Sequence, residues 1–256
     1  MKTALLGAMT AMAALALPLA ANLSAQDTGS GKGNQLSDPR SSFTARDGRS
    51  WHAEVQRTER GYLLGNPDAD AALIEFISYT CSHCASFSRE ADGAIDLALL
   101  APGHMSAEIR TVIRNAPDLT ISLLVGCGDA DGFKNRHRAF LAKQNEWLTK
   151  LTNAPQSQQQ IWARGDRNAR IGLASAMGFD DLMEARGLTR TQINQCLSDD
   201  AAAQKLVANS NADRADFAVT GTPSFAFNGQ LLQGVHSWGA LYPVLSGQIA
   251  PSNEAN

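Results

Sequence analysis

The chain has 256 residues, 44% hydrophobic and 18% charged, a length that suits one domain or one domain carrying a large insertion. That apolar share excludes global disorder, and a formal net charge of −3 leaves no bulk positive field to recruit nucleic acid or an anionic membrane. Four cysteines are too few for a small disulfide-built scaffold, so folding rests on ordinary burial.

Met1-Lys2 is a short positive start, and Ala4 to Ala21 is an apolar run broken only by Gly7, Thr10 and Pro18. With the small residues of Leu23-Ser24-Ala25 behind it, this layout predicts a secretory signal over 1–25, cleaved after Ala25 or after Ala21. The competing reading is a retained spanning helix, against which stand Pro18, the predominance of Ala and the lack of a basic stop. Without Lys2 the net charge is −4. Export would put the cysteines where disulfides persist. Residues 26–50 hold ten Gly, Ser or Pro and read as a flexible linker. Gly29-Ser30-Gly31-Lys32-Gly33 within it has neither the spacing nor the flanking strand and helix of a phosphate loop.

Trp51–Thr58 alternates loosely and predicts a first strand. The segment from Gly61 to Asp70, with its cluster Gly65-Asn66-Pro67-Asp68, reads as a turn. Residues 71–78 form a near-continuous apolar run of strand length, suited to a central strand covered on both faces. From Cys81 to about Ala101 apolar residues recur at helical spacing (Ala85, Phe87, Ala91, Ile95, Ala98, Leu99), and Pro102-Gly103 stops the helix. Glu108–Arg114 is the next predicted strand, reached by a right-handed crossover onto a parallel neighbour.

Residues 115–217 differ in kind. They are rich in Ala, Leu, Gln and Arg and predict several amphipathic helices. Twelve basic and twelve acidic residues fall between 117 and 217, so the cluster Lys134, Arg136, His137, Arg138 is expected to form one solvated helix face. Ser224-Phe225-Ala226-Phe227, Asn228-Gly229 and Gln230–Gln233 then predict a hairpin whose two-residue turn needs positive φ at both positions. Ser237 to Ile249 predicts a closing helix with Ser237 as its cap. The class is α/β: strand–helix–strand over 51–115, a helical insertion over 116–217, and strand–strand–helix over 218–250.

Cys81-Ser82-His83-Cys84 sits where a strand ends and a helix begins. Residues at i and i+3 share a helix face, so the two sulfurs can meet. Unpaired N–H groups and the positive end of the dipole at a helix start favour a thiolate, the nucleophile of disulfide exchange. His83 could stabilise that anion further through its imidazole. Cys81, nearer the loop, is expected to be the more exposed, attacking sulfur, with Cys84 as its resolving partner. Two other uses compete. A zinc site needs two more ligands, and the chain has no second such pair and no paired His; a static disulfide closing so short a loop constrains little.

Gly65-Asn66-Pro67, Leu73-Ile74-Glu75-Phe76, Tyr79-Thr80-Cys81-Ser82-His83-Cys84 and Gly221-Thr222-Pro223-Ser224-Phe225 occur in that order. Together they resemble the DsbA-like family of periplasmic thiol–disulfide oxidoreductases, over about residues 51–247. The resemblance implies a thioredoxin fold interrupted by a helical domain. The family's most typical site has Pro where this chain has Ser82, a departure that bears on redox strength. By the same resemblance Pro223 belongs to a cis-proline loop that faces the active cysteines and offers backbone groups to an extended substrate. Thr222 before it is found in isomerase and reductase relatives as well as in some oxidases. Glu75 matches a buried acid beneath the disulfide that could relay the proton of Cys84; an edge-facing, solvated Glu is the competing reading.

Cys127 and Cys196, both in the helical block, are two lone cysteines in a chain expected to be exported, and they predict a structural disulfide worth about 3–4 kcal/mol. Asp129-Ala130-Asp131-Gly132 is too short for a calcium loop and reads as a turn. His52, His104, His137 and His236 have no spaced partner and receive no role. The expected function is donation of the Cys81–Cys84 disulfide to reduced or unfolded secreted polypeptides in the periplasm, with reoxidation by a DsbB-type, quinone-linked membrane partner. A reductase or isomerase of the same fold and a non-catalytic peptide-binding or chaperone module beside Pro223 are the alternatives. No cofactor, metal or nucleic acid is called for.

Overall fold

The computed structural model describes residues 50–249; the predicted leader and all of the linker before Ser50 lie outside them. The apolar run Ala71–Ile77 forms strand β3, with neighbours on both sides. It pairs in parallel with β4 (Met105–Thr111), Leu73 opposite Ala107, and antiparallel with β5 (Ser224–Phe227), Leu73 opposite Phe227. With β1 (Val55–Arg57), β2 (Tyr62–Gly65) and β6 (Gln230–Leu231) the sheet has the order β1-β2-β4-β3-β5-β6. Strand side chains alternate between faces. Leu73 and Ile77 enter a core with Cys84, Ala85 and Phe87 of helix α1 (Ser82–Ile95), whereas Phe76 packs with Val112, Val219 and Ala226 on the other face. Glu75 shares the Leu73 face and so points toward α1.

The segment expected to be only a turn contains strand β2. Tyr62 and Leu64 bury their side chains where β2 pairs with β1 and β4, a tertiary reward that so short a run does not announce. Gly65, at φ +86°, ends the strand where a Cβ would press on the Met105 carbonyl. β4 begins three residues before the predicted start. The fully buried Met105 pairs with Ala71, so the register with β3, rather than the β-branched run, decides its ends. The Val112 N–H still donates to the Ile77 carbonyl at 2.7 Å. α1 passes into a π turn over Asp96–Leu100 before Pro102-Gly103. The hairpin turn has φ 46° at Asn228 and 80° at Gly229, both positive.

Between the two halves of the sheet run α2 (Ala116–Val125), α3 (Phe133–Ala142), α4 (Gln144–Asn153), α5 (Gln156–Ala163), α6 (Arg167–Met177), α7 (Phe179–Glu184), α8 (Arg190–Ser198) and α9 (Asp200–Phe217). A disulfide joins Cys127, just after α2, to Cys196 of α8, with their Cα atoms 5.8 Å apart. Asp129–Gly132 closes as a short 3₁₀ turn. The closing helix α10 spans Trp238–Ile249, and the Ser237 hydroxyl accepts from the Ala240 N–H at 3.3 Å. Among the described residues no helix is long and apolar enough to cross a membrane.

The basic cluster on α3 is not a solvated face. Arg136 and His137 are buried. Arg136 donates to the carbonyls of Val125 and Asp129, both at 2.8 Å, and so satisfies the end of α2. Lys134 pairs with Asp96 at 2.7 Å, and Arg138 with Asp92 at 3.1 Å and Asp96 at 2.7 Å. α3 therefore packs its cations against acids around the end of α1, a partnership the even charge count of the block conceals.

Candidate active site

Ser78, Tyr79 and Thr80 carry the chain out of β3 in a turn closed by the Cys81 N–H, which donates to the Ser78 carbonyl at 3.1 Å. Cys81 is the N-cap of α1, with φ −90° and ψ 117°. That extended backbone lays its side chain beside the amides of the first turn, where a Ser or Asp would cap a helix. Asp118 holds the turn from below. Its fully buried carboxylate accepts from the Ser78 hydroxyl at 2.9 and 3.0 Å, from the Thr80 N–H at 2.9 Å and from the Arg114 N–H at 3.1 Å. Asn115 caps α2, and its amide donates to the Thr80 hydroxyl at 3.0 Å.

Both active-site cysteines are free thiols. Their environments push them apart. The Cys84 thiol, hydrogen-bonding to Cys81, contributes most to lowering the Cys81 pKa to about 4; the Thr222 hydroxyl and the N–H groups of Cys84 and His83 act in the same sense, against burial. Burial, followed by the bond to Cys81 and the charge it carries, raises Cys84 well above an ordinary thiol. Cys81 is therefore a thiolate at neutral pH and Cys84 a thiol. Cys81 is only 6% exposed and Cys84 not at all, so the order of exposure is as expected but the sulfur expected to attack is covered. The cover comes from the far end of the sequence: the Thr222 carbonyl lies 3.0 Å from the Cys81 sulfur, and the Thr222–Pro223 peptide is cis.

His83 is exposed, and its backbone N–H is among the groups that favour the Cys81 anion. Glu75 is buried, not solvated at an edge. Burial, reinforced by the charge of Asp92, lifts its pKa well above an ordinary carboxyl, and Glu75 in turn raises that of Cys84. Two histidines that received no role have one. His236 Nδ1 lies 2.8 Å from the Pro223 carbonyl, and His137 Nδ1 lies 3.0 Å from the Tyr79 hydroxyl. Only the third dimension reveals either contact. Asp118 does carry a local sign, since it follows the Asn115 cap by three residues, but its hold on Thr80 reaches across 38 positions. Among the described residues no group of three or more His, Cys, Asp or Glu side chains could hold a metal ion.

A thiolate at a helix start, a buried thiol one turn on, a buried acid beneath and a cis-proline above are now in one place. Residues 57–245 match the family model described as thioredoxin. The chain belongs to the thioredoxin family. Its helical insertion gives it the DsbA-type form of that fold. The crystal structure of a protein-disulfide isomerase from Novosphingobium aromaticivorans is similar at 37% identity with a TM-score of 0.71, over 73% of this chain and 96% of that one. The fold of Wolbachia pipientis alpha-DsbA1 is similar with a TM-score of 0.60 at 20% identity, over 73% of this chain and 89% of that one. A Rickettsia bellii protein provisionally assigned as a protein-disulfide oxidoreductase is 26% identical over 172 residues, 67% of this chain; the match spans 58% of that relative's length.

Proposed function

We propose that this thioredoxin-family protein is an exported thiol–disulfide oxidoreductase of the periplasm that passes its Cys81–Cys84 disulfide to reduced or unfolded secreted polypeptides. The observation that carries the reading is the opposed acidity of two sulfurs three positions apart at the mouth of α1. In the oxidised protein a substrate thiolate attacks the Cys81 sulfur, and the Cys81–Cys84 bond breaks. Cys84 leaves as the poorer thiolate and takes a proton, and Glu75, a buried carboxyl whose pKa burial raises and whose charge acts on Cys84, is the proposed source. The substrate's second thiolate then attacks its own sulfur in the mixed disulfide. Cys81 departs as a stable thiolate, the substrate is oxidised by two electrons and the protein is reduced by the same two. Stabilising that thiolate stabilises the reduced form, which makes the disulfide an oxidant.

The leader-like start of the sequence supports export, and the family resemblance supports a DsbB-type, quinone-linked membrane protein as reoxidant. The Novosphingobium relative, a protein-disulfide isomerase, favours a second reading in which the same sulfurs work on wrong disulfides. The test uses oxidised protein and a reduced, unfolded polypeptide with two cysteines. Stoichiometric transfer is expected, and Cys84→Ala, given the disulfide-bonded form of the same polypeptide, should stall as a mixed disulfide at Cys81, because the Cys81 thiolate opens the substrate's disulfide and no Cys84 thiol remains to resolve the new bond. If neither transfer nor a mixed disulfide forms, the proposal fails. A thioredoxin-like equilibrium with glutathione would move the assignment to the reducing direction.

A further inference from the structure

Gln144, the first residue of α4, belongs to the helical insertion yet reaches the cysteine loop. Its Nε2 donates to the Tyr79 carbonyl at 2.7 Å and to the Cys81 carbonyl at 2.8 Å, so both amide hydrogens serve the two residues that flank Thr80. The side chain is 4% exposed. α3 holds the other end of the same residue, since His137 Nδ1 lies 3.0 Å from the Tyr79 hydroxyl. Buried carbonyls need donors, and Tyr79 lies beyond the end of β3 at Ile77. The Cys81 carbonyl also accepts the Ala85 N–H at 3.3 Å, the bond that opens α1.

The direction of that carbonyl is the ψ angle of Cys81. The same angle sets how the first turn of α1, with the N–H groups of His83 and Cys84, stands relative to the Cys81 sulfur. We propose that Gln144 is a positioning residue of the reactive site, which, by gripping the Tyr79 and Cys81 carbonyls, fixes the backbone that presents the Cys81 sulfur to the helix amides. The insertion is thereby part of the redox centre and not only a cover beside it. The meaning of this inference rests on the proposed exchange at Cys81; its test does not.

The test is the far-ultraviolet thiolate absorbance of the reduced protein, followed against pH. Gln144→Met keeps the length and volume of the side chain and removes the donor. The wild type should show a midpoint of about 4. The variant's midpoint should lie about one unit higher, a tenfold loss of acidity, with the native circular dichroism retained. A purely structural role would lower the melting temperature and leave the midpoint in place, and an unmoved midpoint in a folded variant overturns the inference. If Gln144→Met does not fold, Gln144→Asn replaces it, since its amide is too short to span both carbonyls; a raised midpoint again supports the inference and an unmoved one overturns it. A wild type that titrates like a free thiol overturns the functional reading and this inference together, and the wild-type curve alone identifies that case.

Discussion

The Cys81 sulfur lies 3.0 Å from the carbonyl oxygen of Thr222, 141 positions later in the chain. The residue acts in two opposed ways. Its carbonyl, an acceptor, favours the thiol, while its hydroxyl favours the thiolate. Thr222→Val removes only the second influence. The Cys81 midpoint should rise from about 4, and the equilibrium with glutathione should shift toward the oxidised protein by a matching factor. Thiolate titration and redox equilibration on the same samples check both shifts.

Acidification should remove the advantage of the reduced form. Folding depresses the Cys81 pKa to about 4, below an unfolded thiol near ~8.5. The stabilisation is therefore complete above that unfolded value and is lost as pH falls through the folded one. The difference in melting temperature between reduced and oxidised protein should shrink steadily from pH 8 to pH 4. Calorimetry of both forms in one buffer series isolates it, and a difference that does not change with pH would contradict the assignment of the thiolate.

Glu75 carries the opposite sign. Its pKa is raised on folding, so at neutral pH the unfolded chain ionises it more readily and the native state loses stability by that margin. Glu75→Leu should raise the melting temperature at pH 7, with a smaller gain at pH 4, where the unfolded chain too holds most of that proton. Opening of the Cys81–Cys84 disulfide should slow at the same time, because Cys84 loses its nearby acid. Stopped-flow kinetics and thermal melts separate the two effects.

The Cys127–Cys196 bond closes a loop with a sequence separation of 69. Replacing both residues by Ala should lower stability by about 3–4 kcal/mol and leave the Cys81 titration unchanged. Denaturant melts of the double variant measure the first, and the thiolate midpoint reports the second.

Asp118→Ala would strip the Ser78 hydroxyl and the Thr80 and Arg114 N–H groups of a common acceptor. The expected loss is about 3 kcal/mol. Hydrogen exchange should show the Thr80 and Arg114 amides losing protection first. Equal loss across the whole sheet would mean that the carboxylate does not act on this turn.

Local order was legible because it is set by neighbours in the chain. The apolar run of β3, the helical period after Cys81, the Asn228-Gly229 turn and the Ser237 cap all answer to rules that reach only a few residues. The same holds for the spacing of Cys81 and Cys84, which specifies that two sulfurs meet at a helix start. The sequence by itself therefore determined the α/β class, the helical insertion and the pair of sulfurs on which the proposed chemistry rests. β2 escaped because three apolar residues carry no period, and what makes them a strand is burial between β1 and β4. The α3 cations were misread because their partners, Asp92 of α1 and Asp96 of the π turn after it, lie some forty residues away. Tertiary structure alone decided what surrounds Cys81: the Thr222 carbonyl above it, Gln144 gripping its own carbonyl, and Asp118 beneath the turn. Such contacts join positions dozens of residues apart, and nothing in the local pattern records which donors chain folding will carry to one buried sulfur.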